Sequence, residues 1–184
     1  TKISEITAVI GQSRKIRSYS QYLNGLIACE VSRMSRYFDS CIQWRPRSSD
    51  SKNLFYSIDC KEKLEIDKEF PDLRHESNRR TLVLLNGNVN HHSDIQSLFQ
   101  EIFEKLSRTS RLVCIAYNPY LAWLYRLANF LGLRAGELPT TFVTRTDICN
   151  LARLSGFEVV RIRPVGYIPW NLLGLGTFIN YILA

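Results

Sequence analysis

A chain of 184 residues, 45% of them hydrophobic, is long and apolar enough to fold as one domain with a sizeable core. That composition excludes a wholly disordered chain. The formal charge is +7, and residues 1–50 carry eight Lys/Arg against four Asp/Glu. The basic residues Arg14, Lys15, Arg17, Arg33, Arg36, Arg45 and Arg47 are scattered, as on a solvated helical face. Anionic lipid, an acidic partner and nucleic acid are the functional alternatives, and nucleic acid, supported by charge alone, is not expected.

Five cysteines occur, Cys29, Cys41, Cys60, Cys114 and Cys149, with no CxxC pair. An odd, dispersed set argues against a disulfide framework or a zinc site and for a reducing compartment. Residues 1–30 hold no continuous apolar stretch of signal-peptide type. The apolar stretches Tyr120–Leu133 and Tyr167–Ala184 are too short or too interrupted to read as membrane spans.

In chain order, residues 2–36 read as mainly helical, from Ile3, Ile6, Ile10 and then Tyr22, Leu26, Ile27, Val31 and Met34. Arg45–Lys52 reads as a polar loop. Leu54–Ile58 reads as a short strand ending at Asp59, and Lys61–Glu69 as a charged helix stopped by Pro71. Thr81–Leu85 is a continuous apolar run of strand length that enters the turn Asn86-Gly87-Asn88. Ser93 and Gln96 have capping-box spacing ahead of a helix. Ile95, Leu98, Phe99, Ile102, Phe103 and Leu106 form its apolar stripe.

Arg111–Tyr117 reads as a second buried strand. Asn118 and Pro119 then open a helix that Gly132 can end. Thr144 and Asp147 mark a further helix start, Ile148, Leu151 and Leu154 its apolar face, and Gly156 its stop. Phe157–Arg163 reads as a last strand. Alternating strands and helices imply a parallel sheet covered on its faces.

Three stretches together resemble class I S-adenosylmethionine-dependent methyltransferases. Phe55–Leu73 is similar to the family's second strand, its terminal acid and the next helix. Leu82–Leu112 is similar to the fourth strand, the following helix and the entry to the fifth. There, Asn90-His91-His92-Ser93-Asp94 stands where the family pattern resembles Glu-His-x-x-Asp. Phe142–Arg163 looks like the late helix, with its ending Leu151 to Gly156-Phe157-Glu158-Val159. The resemblance covers roughly residues 54–165.

It implies a Rossmann-like α/β fold, S-adenosylmethionine as cofactor and S-adenosylhomocysteine as product. It implies that Asp59 binds the cofactor ribose, a carboxylate being able to accept two hydroxyl hydrogen bonds at once. A plain turn residue is the alternative for Asp59.

The chain departs from the family in one conspicuous place. The first strand should end in an acid and Gly-x-Gly, because glycine lets the backbone approach the cofactor. Before Asp59 only Tyr37–Trp44 is offered for that strand, and Gly25 is the single glycine between Gly11 and Gly87. The family's third strand and its adenine-side acid also have no counterpart. A lost site, a site rebuilt from other residues, or a chain lacking segments of a longer one would each account for this.

Methyl transfer requires alignment of donor and acceptor and removal of a proton. His91 is the candidate general base, set against a hydrogen-bonding role at a helix start. Asn86, Gly87 and Asn88 are candidate cofactor-pocket residues, or an ordinary strand-to-helix turn. Tyr117, Asn118, Tyr120 and Trp123 are candidate acceptor-binding residues, with capping as the alternative for Asn118 and core packing for the aromatics. No metal site is expected, since adjacent histidines on a helix point apart.

The expected organisation is a single methyltransferase-like domain over 1–184. It has a mainly helical segment 1–50, a Rossmann-like core 54–165 with a mostly parallel sheet between helices, and an apolar segment 166–184. The expected activity is methylation of a small or lipid-linked acceptor. The alternative is a non-catalytic methyltransferase-like module that contacts protein or a membrane surface. The two apolar segments also suit a homodimer or a peripheral membrane contact. The expected location is cytoplasmic or membrane-peripheral.

Overall fold

The computed structural model describes residues 21–46, 51–76, 78–130 and 139–165. The helical expectation for residues 2–20, the helix stop at Gly132 and the apolar segment 166–184 lie outside these. The described elements are helix α1 (residues 21–35), strand β1 (Ser40–Trp44), α2 (Ser51–Ser57), β2 (Glu62–Ile66), β3 (Thr81–Asn86), α3 (Asn88–His91), α4 (Ile95–Lys105), β4 (Arg111–Ile115), a 3-10 turn (Pro119–Leu121), α5 (Ala122–Phe130) and α6 (Arg145–Leu154).

The strands form one parallel sheet in the order β2-β1-β3-β4. Helices cover both faces, so the fold is Rossmann-like α/β with a helix ahead of the first strand. On one face, Ile42, Trp44, Val83 and Leu85 pack against Ile95, Leu98, Phe99 and Ile102 of α4, with Ile148 and Leu151 of α6 beside them. On the other, Cys41, Leu82 and Leu84 meet Ala28 and Val31 of α1, Leu54 and Phe55 of α2, and Ile58 just after it. Alternate residues of β1 and β3 thus serve opposite faces, as the pleat requires. Both central strands are buried along their whole length.

Three expectations are corrected. Leu54–Ile58 is not a strand: Leu54–Ser57 lie on α2, whose buried side is Leu54 and Phe55, and Ile58 is buried just past its end. A one-sided apolar cluster on a helix this short has no room to show its period. Residues 61–69 are not a helix: Glu62–Ile66 is the edge strand β2. Its charged residues suit a sheet edge, where they oppose further pairing, and they disguise it as a solvated helix.

The core consequently begins before residue 54. The central strand β1 lies inside the segment expected to be mainly helical. Finally, residues 157–163 form no strand. Phe157 instead turns onto Phe99 and Phe103, at 6.0 and 5.2 Å between ring centroids, while Val160 is 68% exposed. A β-favouring composition reports suitability for a pleated surface, not the presence of a partner strand.

The helix starts follow from side-chain caps. Asp94 rather than Ser93 caps α4, accepting from the Ser97 amide at 2.9 Å. Thr144 caps α6 by accepting from the Asp147 amide at 3.3 Å. Gly156 ends α6 at φ 92°, as its sequence position predicts. Among the described residues no helix is long and apolar enough to cross a membrane.

Candidate functional site

In a parallel sheet every strand points its carboxyl end the same way, and ligands bind where neighbouring connections diverge. Here the chain leaves β1 toward β2 on one side, and β3 lies on the other. The switch point is therefore at the carboxyl ends of β1 and β3. Four segments meet this edge: Arg45-Pro46, Asp67-Lys68, Asn86-Gly87-Asn88 and Ala116-Tyr117-Asn118.

Arg45 stands immediately after β1 with φ 42°, the one left-handed non-glycine residue among those described. Arg45 takes up a backbone conformation that glycine ordinarily supplies. Its amide donates to the Ile66 carbonyl at 2.8 Å and its Nε to the Lys68 carbonyl at 3.0 Å. Its guanidinium lies 5.1 Å from the Trp44 ring centroid, and Trp44 Nε1 also donates to Lys68 O at 2.9 Å. These bonds pin the end of β2 to the end of β1 and fix the strained turn.

Asp67, the first residue after β2, is exposed at this junction. No ion pair or hydrogen bond of its carboxylate is found among the described residues. Asp59 lies at the other edge, between α2 and the amino end of β2. Its amide donates to Ser32 Oγ at 2.8 Å and its carbonyl accepts from Ser35 Oγ at 2.5 Å. Asp59, expected at a strand's carboxyl end, therefore does not stand at one; the acid that follows a strand here is Asp67, within the stretch 61–69 expected to be a helix. The pattern Leu64, Ile66 and then Asp67 was the signal available.

On the β3 side, Gly87 adopts φ 76° as the residue ahead of α3. A Cβ there would stand 3.6 Å from the Tyr117 hydroxyl and 4.0 Å from His91 Cδ2. Gly87, His91 and Tyr117, all sequence candidates, are therefore neighbours. Asn90 holds them: its Oδ1 accepts from the Tyr117 amide at 2.8 Å and its Nδ2 donates to the Thr141 carbonyl at 2.9 Å. His91 is half-buried.

Asn88 Nδ2 donates to the carbonyls of Trp44 and Arg45 at 3.1 and 2.9 Å, bridging the switch point from β3 to β1. Its Oδ1 is buried without a partner. Gln43, on β1 and fully buried, has neither amide atom paired. Buried amides are nearly always satisfied, and among the described residues these three side-chain atoms are the exceptions. Nothing in the sequence pattern distinguishes Gln43 from an ordinary strand residue.

The remaining candidates divide. Asn86 is buried at the end of β3. Asn118 Oδ1 accepts from the Tyr120 amide at 3.0 Å and so caps the 3-10 turn. Tyr120 and Trp123 are 79% and 63% exposed rather than core residues. Burial pushes the Cys41 thiol up to about 12, and Cys114 likewise, so neither supplies a thiolate near neutrality. Among the described residues no three acids, histidines or cysteines gather as a metal site.

No family model matches this chain, and no match was found among curated proteins or solved structures.

Proposed function

We propose that the chain is an S-adenosylmethionine-dependent methyltransferase with its cofactor site at the carboxyl edge of the sheet. The observation that carries this reading is the carboxylate of Asp67, unpaired among the described residues, at the end of β2 beside the β1–β3 switch point. It is the place and the residue type that the family resemblance requires for the ribose hydroxyls. The orphan Gln43 amide and Asn88 Oδ1 fit a polar ligand and would be left unsatisfied by an apolar one.

The bound cofactor would supply an electrophilic methyl group. Asp67 would accept the two ribose hydroxyls. Gly87 and Asn88 would line the same crevice, with Gly87 leaving it unobstructed by a Cβ. His91, beside Tyr117, would take a proton from the acceptor, which is proposed to be small or lipid-linked.

A second reading has an observation of its own. Arg45 and Pro46 replace the glycines of the cofactor loop, which favours a methyltransferase-like module without catalysis. Titration calorimetry with S-adenosylhomocysteine separates the two. The methyltransferase reading expects micromolar binding, about 8 kcal/mol. Absence of binding by the folded chain overturns it and leaves the non-catalytic module.

A further inference from the structure

We infer that α5 is a membrane-surface contact that seats on anionic lipid. Tyr120, Trp123, Leu127 and Phe130 are 79%, 63%, 45% and 86% exposed. At about 100° per residue, Trp123, Leu127 and Phe130 fall within about 60° of one another. They form one stripe, which Tyr120 extends from the preceding 3-10 turn. Arg126 is exposed at its border.

Charge selects the occupant. Arg126 is the single charged residue of α5, and the whole chain carries a formal charge of +7, so the helix that bears the stripe offers positive and no negative charge. An aromatic face bordered by arginine and free of acids is the composition of a helix that lies in a lipid interface.

A second copy of the chain fits less well. Symmetric pairing through the stripe would bring equal positive charges together. The exposed side chains offer roughly 500 Å² at areas typical of aromatic residues. A stable dimer buries about 800 Å² per partner. The inference does not depend on the proposed enzymatic activity.

Flotation with phosphatidylcholine vesicles, with and without about one-third phosphatidylserine, tests it. The full chain should float with the anionic vesicles and much less with the neutral ones. Trp123→Ala/Phe130→Ala, both at exposed positions, should keep the fold by circular dichroism and lose at least roughly tenfold in partitioning. Undiminished flotation of the double variant overturns the inference, as does failure of the wild type to float. Sedimentation as a dimer that the double variant renders monomeric would assign the stripe to a second copy instead.

Discussion

The Asn90 side chain accepts the Tyr117 amide at 2.8 Å and so joins α3 to the segment leaving β4. Its other end holds Thr141, whose amide in turn donates to the Asn90 carbonyl at 3.0 Å. One residue, 1% exposed, thereby fixes three segments around the candidate site. Asn90→Ala leaves a part-buried donor and a part-buried acceptor without their partner and should cost about 1–3 kcal/mol in urea denaturation. Faster exchange of the Tyr117 amide than of the β3 amides would show that the damage starts at the site edge.

Gly156 is required twice over. Its φ is 92°, and a Cβ would approach Phe103 Cζ to 2.7 Å. Phe103 is 45% exposed and meets the Cβ with the far end of its ring, so it can swing aside at the expense of its edge-on packing on Phe157. Gly156→Ala should therefore lose about 1–3 kcal/mol, most of it backbone strain and the rest steric. In a double-mutant cycle with Phe103→Ala the steric part should be recovered and the strain should remain.

Acid should weaken α4 at its first turn. Hydrogen bonds from Ser97 hold the Asp94 carboxyl below the usual carboxylate range. A depressed folded-state pKa stabilises above the unfolded value and is lost as pH falls through the folded value. Thermal unfolding of the wild type should thus lose midpoint below about pH 4, the unfolded carboxylate range. Asp94→Asn should keep the cap and flatten that acid limb, while Asp94→Ala should be less stable at neutral pH.

The orphan amide of Gln43 makes an unusual pairing of effects. Gln43→Leu removes two buried unsatisfied atoms and should raise stability by about 1–3 kcal/mol. If the amide serves a ligand, the same change should weaken S-adenosylhomocysteine binding roughly fivefold or more, the worth of about 1 kcal/mol. A stabilised variant with unaltered affinity would show that the amide does not reach the ligand.

The parts of the fold legible in the sequence were those with one dominant signal. Thr81–Asn86 and Arg111–Ile115 are short apolar runs, and α4 and α6 carry caps and stripes that agree with each other. What was not legible is the pair flanking Asp59. The buried side of α2 mimics a strand, and the charged strand β2 mimics a helix. Tertiary position decides both, since α2 lies against the sheet and β2 lies at its edge.

The site shows the same division. Gly87, His91 and Tyr117 follow strands that were recognised, and they meet. The sequence placed the strand end at Asp59, whereas β2 ends before Asp67, eight residues later. Gln43 and the left-handed Arg45 could not be seen, because burial without a partner and positive φ leave no mark in a single sequence. Gln43 lies within β1 and Arg45 opens the connection that follows it.

The most direct test compares two carboxylates at opposite edges of one sheet. S-adenosylhomocysteine is titrated into the wild type, Asp67→Ala and Asp59→Ala. The wild type should bind, and Asp67→Ala should lose about 1.5–3 kcal/mol, roughly ten- to hundredfold in affinity. Asp59→Ala should bind as the wild type does. Loss of binding in Asp59→Ala with Asp67→Ala unaffected, or no binding by the folded wild type, would contradict a cofactor site at the carboxyl edge.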